Sequence, residues 1–170
     1  MKYEEVVRYI EDIPKFTKKH TLLHTREFMR RLGNPCQGRK VLHVAGTNGK
    51  GSVCAYLNAM LLAGGKKTGL FTSPHLVRIN ERFQINGEEI PEETLARILG
   101  RLMPMVEEMA ERGEVITEFE LITALAFQWF YEEKCDVVVL EVGLGGRFDA
   151  TNVIDTPLAA VIMSISLDHT

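Results

Sequence analysis

The sequence lacks several features that would place it at once in a familiar class of protein. Its three cysteines, Cys36, Cys54 and Cys135, lie far apart with no C-x-x-C pair, which argues against a zinc cage or a disulfide framework. An odd number of cysteines suits a reducing compartment, so we expect a cytoplasmic protein. No apolar run approaches the roughly 20 residues of a membrane-spanning helix. The N-terminus, MKYEEVVRYIEDI, interleaves charges with apolar residues and is not a signal peptide.

An excess of positive charge is also missing. The formal net charge is −3, so no broad basic field would attract nucleic acid or an anionic membrane, and we expect neither as a partner. Hydrophobic residues make up 45% of the chain and charged residues 25%, which is typical of a soluble globular protein. A length of 170 residues suits one domain. A small anion could still be bound locally by backbone and lysine groups.

Apolar segments that suit β-strands alternate along the chain with segments of helical periodicity. The sequence predicts strands in KVLHVAG, KTGLFTS, DVVVLEVG and LAAVIMSIS, and a hairpin in RFQINGEEI around Asn86-Gly87. It predicts helices over 3–12, 22–32, 52–62, 91–112 (kinked at Pro104) and 119–133. Continuously apolar strands that alternate with helices favour a parallel sheet covered on both faces. The predicted fold class is therefore α/β, in three layers.

The stretch Val44–Ser52, VAGTNGKGS, is similar to a phosphate-binding loop but departs from the Walker A pattern G-x-x-x-x-G-K-[ST]. Val44 stands where the first glycine belongs, and Gly51 stands where Ser or Thr should follow Lys50. Even so, a strand, three glycines, a lysine, a serine and a helix follow in the right order. We predict nucleotide phosphates at the loop, because the first amides of a helix attract anions. A glycine-rich turn without chemistry is the weaker alternative.

Three further polar clusters follow predicted strands: Thr72–His75, Glu141–Asp149 and Asp168-His169. In parallel sheets, ligands bind beyond the carboxyl ends of the strands, where these clusters meet the loop. Glu141 follows a buried strand, and a carboxylate there needs a partner or a metal ion. A serine followed by proline is on its own more often a turn than a ligand, and a lone terminal histidine is usually solvated. His43, inside a strand, is interpreted as packing within the sheet.

Four segments in order carry a family resemblance: HVAGTNGKGS, FTSPHLVRINERFQING, LEVGLGGRFDATNV and SISLDHT. Together they resemble the ATP-binding domain of folylpolyglutamate synthase and dihydrofolate synthase, members of the Mur ligase superfamily, over essentially the whole chain. The resemblance implies a P-loop fold like the Mur ligase central domain and an ATP-dependent amide ligase. In that reaction ATP converts a substrate carboxylate into an acyl phosphate, which the amino group of L-glutamate attacks. The implied substrate is folate or dihydropteroate, and the implied cofactors are ATP and Mg²⁺.

The resemblance also implies roles for individual residues. The catalytic residues would be Lys50, Glu141 and His169. ATP would bind the loop residues Gly46, Thr47, Asn48, Gly49, Lys50, Gly51 and Ser52. Magnesium would be bound by Ser52, Ser73, Glu141 and His169. A pterin would contact Thr117, Phe119, Asp149 and Ala150, although Phe119 also suits a core aromatic position at a helix start.

Full-length members of this family continue further, with a modified lysine downstream and a C-terminal domain that serves the ATP and glutamate sites. The last lysine here is Lys134, before the Glu141 motif. We therefore expect residues 1–170 to be the N-terminal portion of the ATP-binding domain, inactive alone, of a parent that is a monomer. Three alternatives stay open: a peptidoglycan-precursor ligase of the Mur type, a generic P-loop ATPase or kinase, and a non-catalytic nucleotide- or pterin-binding module.

Overall fold

The computed structural model describes residues 2–17 and 21–167, which form one mixed β-sheet with helices on both faces. The helices are α1 (Tyr3–Asp12), α2 (Leu23–Arg31), α3 (Lys50–Ala63), α4 (Glu92–Glu111) and α5 (Glu118–Glu132). The strands are β1 (Val41–Ala45), β2 (Thr68–Phe71), β3 (Phe83–Ile85), β4 (Glu88–Glu89), β5 (Val137–Glu141) and β6 (Ala159–Ile162). Two short 3₁₀ helices span Ile79–Arg82 and Ala150–Val153.

The strand order is β4-β3-β2-β5-β1-β6. Strands β2, β5, β1 and β6 are parallel, whereas β3 and β4 run antiparallel at one edge. The hairpin turns at Asn86 and Gly87, whose φ angles of 53° and 81° match the type I′ turn that suits the twist of the strands. Because β5 lies between β1 and β2, the loops that follow these three strands open at one edge of the sheet, side by side.

The two faces of the sheet are covered unequally. Helices α1, α2, α4 and α5 pack on one face and enclose the larger core. Its largest fully buried side chains include Phe28, Phe71, Phe83, Phe127 and Phe130. On the other face, within the described residues, the one helix that packs over β1, β2 and β5 is α3, around Val44, Cys54, Leu70 and Val139. The larger core therefore anchors α5, and the smaller one anchors the helix that follows the glycine loop.

The structure confirms the α/β class and the three layers and adjusts several details. The sheet is mixed because the predicted hairpin is part of it. Helix α3 begins at Lys50, two residues before the predicted start, so Gly51 and Ser52 belong to its first turn. Pro104 lies inside α4 without ending it. Strand β6 was predicted to be covered on both faces, but Ala159, Ala160 and Ile162 are exposed in the part of the chain that the structure describes.

Candidate functional site

The glycine loop joins β1 to α3 at the carboxyl edge of the sheet. Gly46 has a φ of 135°, and a Cβ there would lie 2.6 Å from the Cβ of Met163. Gly49, with a φ of 82°, is the N-cap of α3. Both positions require glycine, the first because of a close approach and the second because left-handed backbone favours a residue without a side chain. The chain can therefore turn sharply enough to point the first turn of α3 at the mouth of the loop.

The first hydrogen bond of α3 runs from the amide of Val53 to the carbonyl of Gly49, at 3.0 Å. The amides of Lys50, Gly51 and Ser52 precede it and therefore have no partner within the helix. Such amides, together with the helix dipole, attract anions. Seven consecutive residues predicted to bind ATP, 46–52, thus form one continuous turn at a helix start.

Lys50 folds back over this loop. Its Nζ donates to the carbonyl oxygens of Gly46 at 2.8 Å and Thr47 at 3.3 Å. These are neutral acceptors, and no carboxylate forms a salt bridge with Lys50 within residues 2–17 and 21–167. A phosphate at the loop could therefore accept from Lys50 Nζ in place of these carbonyls.

Thr47 joins the loop to the segment that follows β6. Its amide donates to the carbonyl of Ser164 at 3.0 Å, and its hydroxyl exchanges hydrogen bonds with the backbone of Ser166 at 3.0 and 3.2 Å. The chain after β6 thus runs alongside the glycine loop. The predicted site residue His169, with its neighbour Asp168, lies outside the described residues.

Glu141 ends β5 and is 5% exposed. Its Oε2 accepts from the amide of Ser73, in the loop after β2, at 3.0 Å. Burial raises the pKa of the Glu141 carboxyl, an effect that the Ser73 hydrogen bond and the charge of Lys50 partly oppose. Both carboxylate oxygens also lie close to the first turn of α3, since a Cβ on Gly51 would be 3.8 and 3.9 Å from them. The structure therefore brings Glu141, Ser73 and the phosphate-loop helix together.

The chemistry of this donor set suits a magnesium ion. Among the described residues no hydrogen bond reaches Oε1 of Glu141, so one oxygen of this largely buried side chain is left to a cation. Ser52 and Ser73 add hydroxyl oxygens, and Mg²⁺ in proteins prefers one or two carboxylates with phosphate and water oxygens. No group of three His, Cys, Asp or Glu side chains within residues 2–17 and 21–167 is placed to hold a metal by itself. A phosphate ligand would therefore have to complete the site.

The predicted pterin residues lie on two segments, Thr117 and Phe119 at the start of α5 and Asp149 and Ala150 in the loop after β5. Thr117 is the N-cap and exchanges hydrogen bonds with Glu120, whose carboxylate accepts from the Thr117 amide at 2.7 Å and hydroxyl at 2.9 Å. The Thr117 hydroxyl in turn accepts from the Glu120 amide, so the two residues form a capping box at the start of α5. The hydroxyl of Thr117 is thus engaged within the chain, and its role in a pterin site remains a prediction.

Phe119 is half-buried between the sheet and the loop after β5. Its ring lies 5.7 Å from the ring of Phe71, centroid to centroid, in a tilted arrangement. On another side the ring lies against the backbone of Gly143, where an added Cβ would lie 2.5 Å from the ring carbon Cζ. Gly143 therefore makes room for the Phe119 ring. Gly143 lies within the segment LEVGLGGRFDATNV, but the sequence alone predicts no role for this glycine.

Asp149 is buried, with 6% exposure, and organises the loop that follows β5. Its Oδ1 accepts from the Leu144 amide at 2.8 Å, and its Oδ2 accepts from the Thr151 amide at 2.9 Å and hydroxyl at 2.5 Å. It thereby caps the 3₁₀ helix that begins at Ala150, which is also buried. The structure places Asp149 and Ala150 next to one another in the folded loop.

Two residues at this loop were missed by the sequence analysis. His43, interpreted as packing within β1, has its Nε2 2.8 Å from the Thr151 hydroxyl, and Thr151 is fully buried. Burial lowers the pKa of His43, while the charge of Asp149 opposes the shift. Thr151 lies within the DATNV segment, which the sequence already marks as part of the family resemblance. The contact with His43 spans 108 residues of sequence and has no local pattern.

No helix within residues 2–17 and 21–167 is both long and apolar enough to cross a membrane. The search against models of protein families gave no match.

Curated proteins with similar sequences carry the name of folylpolyglutamate synthase, of dihydrofolate synthase or of both. Over 170 residues the chain is 44% identical to the dihydrofolate synthase/folylpolyglutamate synthase of Bacillus subtilis (strain 168), a match that covers 98% of this chain and 39% of that protein. It is 40% identical over 171 residues to the folylpolyglutamate synthase of Lacticaseibacillus casei, covering 99% and 40%. The chain thus spans about two fifths of the length of these relatives.

Solved structures agree with this similarity. A structure described as an FPGS–AMPPCP–folate complex superposes with a TM-score of 0.94 at 40% identity, covering 100% of this chain and 42% of that one. Folylpolyglutamate synthase from Mycobacterium tuberculosis, complexed with ADP, gives a TM-score of 0.91 at 35% identity, covering 99% and 38%. Sequence and fold therefore identify this chain as homologous to the folylpolyglutamate synthases, with the fold of their N-terminal domain.

Proposed function

We propose that this chain is the N-terminal, ATP-binding part of an amide ligase that adds L-glutamate to folate or dihydropteroate. The observation that carries the proposal is the position of Glu141, a buried carboxylate held by the Ser73 amide against the first turn of α3. Phosphoryl transfer depends mainly on positioning and charge neutralisation, and this arrangement offers both. The relatives' names and the AMPPCP and ADP complexes of similar proteins support the same reaction.

In the proposed reaction the glycine loop binds the phosphates of ATP. The amides of the first turn of α3 that have no partner in the helix donate hydrogen bonds to the phosphate oxygens, and Lys50 moves its Nζ from the loop carbonyls to a phosphate oxygen. Transfer of the γ-phosphoryl group to the substrate carboxylate breaks its bond to ADP and makes an acyl phosphate. Attack by the glutamate amine then releases phosphate, and the new amide bond is formed.

Magnesium is proposed as the cation that joins the phosphates to this edge of the sheet. Ser52, Ser73 and Glu141 would hold it, with His169 as a further ligand predicted outside the described residues. When bound, the ion would neutralise the charge that develops on the transferring phosphoryl group. The protein's own part is to bury Glu141 and fix its carboxylate through the Ser73 amide.

The pteridine part of the substrate is proposed to bind at Thr117, Phe119, Asp149 and Ala150. Phe119 offers for stacking a half-buried aromatic ring, which lies against Gly143, and Asp149 offers a carboxylate acceptor whose Oδ1 is bound to the amide of the next residue, Leu144. This cluster begins within one loop of Glu141, so a substrate bound there could extend its carboxylate toward the phosphates. The name of one relative includes dihydrofolate synthase, which fits a dihydropteroate acceptor.

The extent of the protein is part of the proposal. We propose that residues 1–170 belong to a longer cytoplasmic ligase, a monomer, whose remaining part completes the ATP site and binds glutamate. The coverage of about two fifths of the relatives supports this. The 170-residue chain is then inactive alone. Sequencing the gene beyond the codon of Thr170 tests it directly, because a stop codon at that point would contradict the proposal.

The decisive experiment measures phosphate release by the longer protein with ATP, Mg²⁺ and L-glutamate, as a function of the acceptor. We expect release with folate or dihydropteroate, matched by incorporation of labelled glutamate into the acceptor. Release with a UDP-muramyl acceptor alone would indicate a peptidoglycan-precursor ligase. Phosphate release without glutamate incorporation would indicate a simple ATPase or kinase, and either result overturns the proposal.

A further inference from the structure

A chain of hydrogen bonds connects the centre of the sheet to the proposed pteridine site. It begins at His43 on β1, which pairs with Leu140 of β5 on one side and Ala160 of β6 on the other. His43 Nε2 lies 2.8 Å from the Thr151 hydroxyl, and that hydroxyl lies 2.5 Å from Oδ2 of Asp149. An internal strand thus contacts the loop that holds Asp149, across 108 residues of sequence.

The chemistry of the three groups determines the direction of each hydrogen bond. An ionised carboxylate accepts hydrogen bonds only, so the single hydrogen of the Thr151 hydroxyl is donated to Asp149. The hydroxyl can then only accept from His43, and the imidazole must carry a hydrogen on Nε2. Burial lowers the pKa of His43 and favours the neutral ring. The neutral tautomer with hydrogen on Nε2 is therefore the one that fits the structure.

The same count of donors identifies which oxygen of Asp149 is left for a ligand. Each carboxylate oxygen has two acceptor positions, and Oδ2 uses both on the amide and hydroxyl of Thr151. Within residues 2–17 and 21–167, Oδ1 accepts from the Leu144 amide alone, at 2.8 Å. One acceptor position therefore stays open, on Oδ1, and the carboxylate cannot rotate without breaking three hydrogen bonds.

We propose that His43 is a positioning residue for the pteridine substrate: acting through Thr151, it fixes Asp149 so that Oδ1 accepts a ring N–H or amino hydrogen of the ligand. This inference rests on the proposed function and adds to it two residues and one accepting atom. Pteridines carry adjacent N–H and amino donors, which a fixed carboxylate oxygen can recognise. His43 itself does not contact the substrate.

The kinetic experiment uses paired variants of the longer protein. His43→Leu and Thr151→Val remove the donor and the hydroxyl, whereas His43→Gln and Thr151→Ser keep a donor and a hydroxyl at about the same reach. We expect the first pair to raise the KM for dihydropteroate or folate roughly tenfold, the effect of one lost hydrogen bond to a charged group, with the KM for ATP unchanged. The conservative pair should keep the acceptor KM within about threefold of the wild type.

The double variant His43→Leu/Thr151→Val separates a relay from two independent effects. If His43 acts through Thr151, the double variant has the same acceptor KM as Thr151→Val alone. An acceptor KM that does not change in His43→Leu, that rises together with the KM for ATP, or that multiplies in the double variant overturns the proposal. Where His43→Leu fails to fold, the comparison of Thr151→Val with Thr151→Ser decides, because threonine and serine differ by one methyl group.

A second measurement does not depend on activity. Nitrogen NMR of the protein labelled with ¹⁵N-histidine distinguishes the two neutral tautomers, and the His43 signals are assigned by their loss in His43→Gln. Hydrogen on Nε2 is expected, and hydrogen on Nδ1 overturns the relay. If the wild type uses no pteridine acceptor, the proposed function and the positioning role both fail, while the tautomer still shows whether the hydrogen-bond chain exists.

Discussion

The proposed phosphate side and the proposed pteridine side of the candidate site use their polar groups in opposite ways. At the glycine loop the groups are left open: the first amides of α3 have no partner in the helix, Lys50 rests on neutral carbonyls, and Glu141 has one hydrogen bond. Around Asp149 nearly every donor and acceptor is used within the chain. The open groups can neutralise a charged ligand, whereas the saturated groups fix the conformation of the loop that carries Asp149.

This difference predicts which substitutions change chemistry and which change fit. Removing an open charged group should lower the rate and leave the fold intact, since few internal contacts depend on it. Removing a saturated group should weaken binding of the acceptor and also lower stability, because several internal hydrogen bonds or ring contacts depend on it. The following variants of the longer protein test the contrast, from the largest expected effect to the smallest.

Glu141→Gln should have the largest effect. The amide keeps the size of the side chain but loses the charge that would bind magnesium, so turnover should fall by about 1,000-fold or more. Removing a buried carboxylate whose pKa is raised by burial should leave the melting temperature equal or higher. Phosphate release as a function of Mg²⁺ concentration measures this, with Glu133→Gln at the protein surface as the control. Unchanged magnesium dependence would reduce Glu141 to a structural role.

Lys50→Ala should lower turnover by roughly 100- to 1,000-fold, the usual effect of removing one group that stabilises transition-state charge. The fold should persist, because the hydrogen bonds of Lys50 Nζ to other described residues are limited to two carbonyls of its own loop. Steady-state kinetics together with circular dichroism check both parts, and Lys66→Ala, an exposed lysine at the far end of α3, is the matched control. Loss of folding in Lys50→Ala would contradict the description of this side as open.

Gly143→Ala tests the saturated side. Its Cβ would lie 2.5 Å from Phe119, so the ring must move; overpacking of this kind costs about 1–3 kcal/mol of stability. We expect the acceptor KM to rise about tenfold, with the KM for ATP unchanged. Gly146→Ala in the same loop is the control, because a Cβ there meets nothing within 4 Å. Equal effects in both variants would show that the Phe119 contact is unimportant.

The smallest expected effect is a pH dependence of stability that comes from His43. Because burial lowers its pKa below the ordinary 6.5, the unfolded chain binds a proton more readily than the folded one. The contribution of neutral His43 to the free energy of unfolding is therefore fully present above pH 6.5. It is lost as the pH falls through 6.5 toward the lower pKa of the folded state. Urea unfolding between pH 7.5 and 5 should show a steeper loss in the wild type than in His43→Gln. Parallel curves would show that the partly buried His43 does not have a lowered pKa in the folded protein.

Much of the fold was predictable because its determinants are local. The boundaries of α1, α4 and α5 and the hairpin at Asn86-Gly87 follow from periodicity and turn residues, which depend on neighbours in sequence. The start of α3 was placed two residues late because glycine disfavours helix interiors, yet Gly51 is tolerated in a first turn facing Glu141. The covering of β6 was wrong because burial depends on what packs against a strand, which periodicity does not report.

For the candidate site, the sequence by itself determined which groups exist and where strands end. A glycine loop before a helix and an acid after a buried strand are local patterns, and in a parallel sheet their strand ends meet at one edge. Only the tertiary structure decided the partners: Ser73 with Glu141, Gly143 with Phe119, and His43 with Thr151. These contacts join residues between 24 and 108 positions apart, and their specificity comes from distances and hydrogen-bond directions that arise once the sheet has formed.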